Sequence, residues 1–397
     1  AELWDVDGNR YLDLNMGNGA VVLGHGDVRV QEAIREALQT GLTLGVEWES
    51  AVELAELFLR IVPTMDLVRF TNTGTEAVLH ALHIVRFATG KLKIAKVEGC
   101  YHGWSDEIFV SAFPDVKNAG PVDAIAPIPG MDGLNPAGAE NVVVMPFNDV
   151  ERTRAVIEAN AKDLAAVILE PVMVDIGFVL ATDEYLSTLR ELCTKHGILL
   201  IFDEVLTSFR LAPGGAQEYY GVVPDLAVYG KAMSNGYPIA AVAGKDDIMR
   251  LSEPGNGPAF VGTYNGHAIP VAAALATLPL LADGSAQRTL TERTERLSRA
   301  FGDAARKFGV TAQFCGSAGH IHWYFTDNPV EDYRSAATTD VQLYSAFASA
   351  LQERGVLASS RPLSHHHLSL AHDDAVIDEL EVLFETALKD ASTAVFK

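Results

Sequence analysis

Three short runs of almost unbroken apolar residues, at 164–172, 198–205 and 226–230, constrain the fold of this chain more than any other feature. A strand that is apolar at nearly every position must be covered on both faces, as in a parallel sheet flanked by helices. The segment between the first two runs supplies such a helix. Thr182 stands at a capping position, and Tyr185, Leu189, Leu192 and Cys193 recur at helical spacing. Strand, helix, strand with a right-handed crossover is the expected unit. Strand and helix alternate from a helix at 50–61 to about residue 280, which predicts an α/β domain with a mostly parallel sheet.

The ends of the chain read differently. Leu3-Trp4-Asp5-Val6-Asp7-Gly8-Asn9-Arg10-Tyr11-Leu12-Asp13 is a strand, a tight turn at Asp7-Gly8 and a second strand, followed by a helix over 28–38. Beyond a helix at 267–282, long amphipathic helices at 287–308, 340–354 and 373–391 surround short strands at 320–325 and 368–371, a smaller α+β domain. A chain of 397 residues is too long for one simple core. The expected division is residues 1–45 packing with the small domain, 46–275 as the large α/β domain, and 276–397 as the small one.

Composition removes some classes of function. A formal net charge of −22 opposes binding to nucleic acid, which needs clustered Lys and Arg. No apolar run approaches the ~18 residues of a membrane helix, and Ala1-Glu2-Leu3-Trp4-Asp5 has neither the basic nor the apolar part of a signal peptide. A cytoplasmic protein is expected. Cys100, Cys193 and Cys315 lack metal-ligand spacing and suit buried thiols. In His365-His366-His367, three adjacent side chains cannot all reach one ion from a regular strand or helix, so no metal is expected.

Ligands of open α/β sheets sit beyond the C-terminal ends of the strands. Asp203 ends one apolar run and Lys231 follows another. A lysine placed where burial depresses its pKa suits covalent attack on a carbonyl, and a nearby aspartate can keep a pyridinium nitrogen protonated. Asn72-Thr73-Gly74-Thr75-Glu76 opens a helix at 77–87 with capping-box spacing at Thr73 and Glu76, and a helix N-terminus accepts phosphate. Gly262-Thr263-Tyr264 precedes another helix and reads equally well as a phosphate contact or a plain turn. After a strand at 93–97, Tyr101 could stack on a flat ring and His102 could hydrogen-bond nearby, although core packing explains each alone. Gly17-Asn18-Gly19 and Gly255-Asn256-Gly257 begin like dinucleotide fingerprints but lack the third glycine, so a nucleotide-binding oxidoreductase is rejected.

In their joint order these segments, with Leu23-Gly24-His25, Tyr101-His102-Gly103, Glu170-Pro171-Val172, Asp203-Glu204-Val205-Leu206-Thr207-Ser208-Phe209-Arg210, Gly230-Lys231 and Leu368-Ser369-Leu370-Ala371-His372, resemble the class III aminotransferases of the fold-type I pyridoxal-phosphate superfamily. Within that class the chain is most similar to the glutamate-1-semialdehyde aminomutase-like group. The resemblance implies pyridoxal 5'-phosphate held by Lys231 as a Schiff base, Asp203 at the pyridine nitrogen, and Val205 and Tyr101 on the two ring faces. Thr73, Gly74 and Thr75 would hold the phosphate, and Gly262 and Thr263 would reach the phosphate of a neighbouring subunit in a homodimer. Asp175 falls near the ring's phenolic oxygen, where relatives carry Asn or Glu, and Glu170 orients the site.

Three departures bear on substrate. The chain opens on the hairpin motif, whereas relatives carry an arm before it that helps line the site. Ser364 stands where the aminomutases carry a glutamate. Met173-Val174-Asp175-Ile176 is more apolar than its counterparts. Arg361 is the candidate for a substrate carboxylate, against a plain solvent-facing loop arginine. The expected activity is ping-pong transfer of an amino group from an amino acid or amine to a keto acid or aldehyde. The alternative is an aminomutase, which needs a lid over its diamine intermediate, and residues 105–140 are long enough for one.

Overall fold

A computed structural model describes residues 1–395. β1 (Glu2–Trp4) and β2 (Arg10–Asp13) form the expected antiparallel hairpin, whose turn is closed by the Asp5 carboxylate accepting from the N–H groups of Asp7 and Asn9. The main sheet is built from β3 (Leu67–Thr71), β4 (Lys93–Val97), β5 (Val142–Met145) and β6 (Leu164–Leu169). A two-stranded ribbon of β7 (Val172–Met173) and β8 (Val179–Leu180) interrupts it, before β9 (Leu199–Asp203), β10 (Leu226–Tyr229) and β11 (Ala240–Gly244) complete it. The spatial order is β3-β11-β10-β9-β6-β4-β5, parallel throughout except that β11 runs against both neighbours.

Alternation within the apolar strands explains why both faces are covered. Ala166, Ile168, Ile201 and Val228 pack with Ala77, Ala81 and Val85 of the helix Gly74–Thr89. Val167, Leu169, Leu200, Phe202 and Tyr229 point the other way, onto Tyr185, Leu189 and Leu192 of the helix Asp183–His196. That helix is capped by Thr182 Oγ1, which accepts the Tyr185 N–H at 3.2 Å, and it ends at Gly197 in the left-handed region. The strand predicted over 164–172 stops at Leu169, because Pro171 cannot donate to a ladder.

The C-terminal part carries β12 (Gln313–Ser317), β13 (His320–Tyr324), β14 (Val356–Leu357) and β15 (His366–His367). β12, β13 and β15 form an antiparallel sheet, whereas β14 pairs in parallel with β2 of the N-terminal hairpin. The helices Ser285–Phe308, Val341–Gln352 and Asp374–Val395 match the predicted ones to within a few residues and pack around Trp323, Phe347 and Phe384. One expectation fails here. Residues 368–371 are not a strand; the ladder to β13 uses His366 and His367 instead. The Leu370 N–H donates to Val22 O and the Ser369 N–H to His372 Nδ1, so the segment leaves the sheet to close over the N-terminal region. Cys100 and Cys193 are buried and Cys315 is half-buried, all as free thiols. Among the described residues, no single helix is long and apolar enough to cross a membrane.

Candidate active site

The chemistry-bearing residues collect where five parallel strands end. Asn72 follows β3, Glu98 follows β4, Glu170 follows β6, Asp203 closes β9, and Lys231 lies just past β10. A cavity of about 250 Å³ opens there, with Lys231, Asp203, Asp175 and Glu170 on its polar side and Tyr101, Val172 and Val205 on its apolar side. Gly74, Thr75 and His102 complete the lining from the expected set, and Trp104 and Thr207 join it without having been anticipated.

Lys231 begins a short 3-10 turn, and its φ of 43° lies in the left-handed region that a residue with a Cβ seldom adopts. That conformation costs about 1–2 kcal/mol and persists because the flanking strands over-determine it. Burial pulls the Lys231 amine below its usual pKa, and the carboxyl groups of Asp175, Glu170 and Asp203 pull it part of the way back.

Asp203 is fixed by two bonds. Its Oδ2 lies 2.7 Å from His102 Nδ1, and its Oδ1 accepts the Val205 N–H at 3.1 Å. His102 is fully enclosed, and burial lowers its pKa against the pull of Asp203. Its Nε2 is buried without a hydrogen-bond partner. Glu170 ties two loops together: Oε1 accepts the Tyr101 N–H at 2.9 Å, while Oε2 accepts from Val174 at 3.0 Å and from Asp175 at 3.4 Å. Burial and the neighbouring Asp175 and Asp203 charges push the Glu170 carboxyl well up. For Asp175, burial acts upward too, but the His365 bond and the Lys231 charge hold it below its usual range.

At the other end of the cavity the capping box forms as its spacing predicts. Thr73 Oγ1 accepts the Glu76 N–H at 3.2 Å, and the Glu76 carboxylate accepts from the N–H groups of Asn72 and Thr73 at 2.8 and 3.0 Å. Thr73 is therefore an exposed cap outside the cavity lining, and the helix starts at Gly74 rather than Ala77. The N–H groups of Gly74 and Thr75 open the helix without intrahelical acceptors. Gly103 lets the turn after His102 pass close by: at its φ of 92°, a Cβ would lie 2.7 Å from Thr75 Oγ1.

Other expected residues lie elsewhere. Gly262 and Thr263 are exposed and line a second, larger cavity of about 910 Å³ with residues 43–48, Arg69 and Phe260. The turn they begin is joined to the loop before the helix Gly74–Thr89 by Asn72 Nδ2, which donates to Asn265 Oδ1 at 3.1 Å. Arg361 is exposed, its guanidinium 6.0 Å from the Phe113 ring, and Phe113 in turn stacks on Tyr101. Ser364 is buried next to His365. Arg210 is wholly buried, donating to Gly19 O at 2.9 Å and Leu368 O at 3.0 Å, which pins the N-terminal segment and the 368–371 loop behind the site. Residues 105–140 are anchored through Lys96 Nζ, which donates to Val110 O, and through the Tyr333 hydroxyl on Pro114 O at 2.6 Å. Sequence reasoning missed the contact of His365 with Asp175 at 3.1 Å, which joins two segments far apart in the chain and leaves no local signal in the sequence.

The chain matches the family model for class III aminotransferases over residues 1–371. It is 38% identical over 392 residues to glutamate-1-semialdehyde 2,1-aminomutase 2 of Brevibacillus brevis, covering 98% of this chain and 90% of that protein. Among solved structures it is similar to an omega-transaminase from Sphaerobacter thermophilus, with a TM-score of 0.91, 32% identity, and coverage of 98% of this chain and 89% of that one. It is similar also to a beta-phenylalanine aminotransferase from Variovorax paradoxus, with a TM-score of 0.85, 33% identity, and coverage of 97% and 84%. With a half-buried lysine and a buried aspartate at the strand ends of a mainly parallel sheet, the chain belongs to the class III aminotransferase family, the pyridoxal-phosphate-dependent enzymes of fold type I.

Proposed function

We propose that the chain moves an amino group between neighbouring carbons of one substrate, an amino aldehyde of the glutamate-1-semialdehyde kind. The observation that carries this reading is likeness along nearly the whole chain to relatives named as that aminomutase, at 36–38% identity. The cavity's donor set fits the cofactor. The free N–H groups of Gly74 and Thr75 suit a phosphate, Asp203 suits a ring nitrogen, and the unpartnered His102 Nε2 lies buried beside them.

Bound pyridoxal phosphate supplies the carbonyl with which amines condense and a ring that withdraws electrons. The protein supplies placement and proton movement. Lys231 Nζ, its proton loosened by burial, takes the proton from the carbon that bears the amino group and returns one. Asp203, braced by His102 and the Val205 N–H, keeps a negative charge in fixed position. Tyr101 and Val205 confine a flat ring between an aromatic and a branched side chain, and Glu170 fixes the backbone that presents Tyr101.

A second reading is intermolecular transfer from an amino acid or amine to a keto acid or aldehyde. It is favoured by Ser364 standing where the aminomutase pattern has a glutamate, and by likeness to solved structures titled as transaminases. In that reading Arg361, beside Phe113 and Tyr101 near the cavity, receives a substrate carboxylate. For either reading we propose a homodimer. Leu44, Val46, Val52, Val261 and Tyr264 are exposed apolar side chains around the larger cavity, a surface a second subunit would cover while bringing Thr263 to its neighbour's phosphate. Supplying a single amino aldehyde without a keto acid separates the two chemistries. Many turnovers support the aminomutase; a stall after one half-reaction, relieved by a keto acid, supports the transferase.

A further inference from the structure

Behind the cavity three buried imidazoles form a chain that ends on Asp175. His365 Nε2 lies 3.1 Å from Asp175 Oδ1, His365 Nδ1 lies 2.6 Å from His367 Nε2, and His367 Nδ1 lies 3.0 Å from His320 Nδ1. The fold sets this line. His365 stands immediately before β15, two residues from His367, and the ladder places His320 of β13 opposite His367. His367 is held against the backbone, because a Cβ on Gly19 would meet its ring at 2.8 Å, and Phe178 stacks on His320. His320 Nε2 is buried and unpartnered.

With Asp175 ionised and all three imidazoles neutral, one set of tautomers satisfies every bond. His365 donates from Nε2 to the carboxylate, His367 donates from Nε2 to His365 Nδ1, and His320 donates from Nδ1 to His367 Nδ1. The bare nitrogen that results is His320 Nε2, the atom without a partner. Three carboxyl groups share the small cavity, so they compete for ionisation. Only Asp175 of the three accepts from this chain, and its other charged or titratable neighbours are Lys231, His102, Glu170 and Tyr101. On the far side the charged or titratable groups are Arg210, His322 and His366, and burial keeps both of those histidines far below their usual pKa.

We infer that His365, oriented by His367 and His320, is a positioning residue that holds Asp175 as the hydrogen-bonded carboxylate facing Lys231 and its cofactor. Removing the donor leaves the half-buried Asp175 with no fixed partner, so it takes up a proton more readily and its negative charge beside Lys231 is lost. The inference rests on Lys231 being the cofactor-bearing lysine. If Lys231→Ala kept the visible band of the loaded protein, that reading would fail; the inference is judged only where the band depends on Lys231.

The test is a pH titration of visible absorbance in the cofactor-loaded protein, for wild type, His365→Leu, His365→Gln, Asp175→Asn and Asp175→Asn/His365→Leu. Loss of the carboxylate charge lowers the midpoint, so His365→Leu and Asp175→Asn should each shift it downward by about one pH unit. Gln retains a donor and should restore most of the wild-type midpoint. In the double variant the shift should equal that of Asp175→Asn alone. An unmoved midpoint in His365→Leu overturns the inference, as does an equal His365→Leu shift with and without Asp175. If His365→Leu does not fold, imidazole nitrogen NMR of the cofactor-free wild type and Asp175→Asn decides. The inference requires a protonated Nε2 and bare Nδ1 on His365 that change when Asp175 is replaced; identical spectra refute it.

Discussion

Replacing Gly103 with alanine tests how tightly the Tyr101 turn and the helix Gly74–Thr89 are fitted together. The new Cβ would lie 2.7 Å from Thr75 Oγ1 and 3.0 Å from Thr75 Cα, and the second contact is with backbone that cannot rotate away. The φ of 92° adds a conformational cost of about 1–2 kcal/mol for any residue with a Cβ. Overpacking against a helix start adds about 1–3 kcal/mol, so the sum is roughly 2–5 kcal/mol. Part of the strain would be relieved by moving Gly74 and Thr75 away from His102, which takes the helix N–H groups out of place for a phosphate. Denaturant unfolding of the cofactor-free protein and titration with pyridoxal phosphate measure the two consequences. At about 1.4 kcal/mol per tenfold, even 1.4 kcal/mol felt at the helix start weakens cofactor binding tenfold. A Gly103→Ala protein within about 0.5 kcal/mol of wild type, with unchanged cofactor affinity, would refute the close fit.

Two further outcomes are expected. Asp203→Asn keeps the shape of the site but removes the charge braced by His102 at 2.7 Å, so turnover should fall by about a hundredfold or more while the fold is retained; activity near wild type in a steady-state assay contradicts the role given to Asp203. His372 is buried with Nε2 toward Asp13 O, and burial lowers its pKa from 6.5 to about 4. The unfolded chain therefore binds a proton that the folded one refuses as pH drops from about 6.5 toward 4, and this contribution to stability is intact above that window and lost through it. The stability of wild type relative to His372→Asn should shrink over that range in denaturant melts at stepped pH, and a constant difference counts against it.

Much of the architecture could be read from the sequence because burial on two faces leaves so distinctive a mark. The runs at 164–172, 198–205 and 226–230 became the central strands Leu164–Leu169, Leu199–Asp203 and Leu226–Tyr229, and Thr182 and Thr73 capped the helices their spacing announced. What could not be read depends on contacts between segments distant in the chain. The 368–371 segment has the composition of a strand, yet Val22 and His372 claim its N–H groups. His365 meets Asp175 across 190 positions' separation in sequence, roughly, and only the folded chain brings the two together. Thr73 and Thr75 look alike in the motif, but the helix start spends one on capping and turns the other into the cavity.

The proposed chemistry stands on Lys231 being the lysine that carries the cofactor. Borohydride reduction of the loaded protein, followed by peptide mass mapping, tests it most directly. The expected result is a stable pyridoxyl group on Lys231 and none in Lys231→Ala. Labelling of another lysine instead, above all the fully buried Lys96, would contradict it.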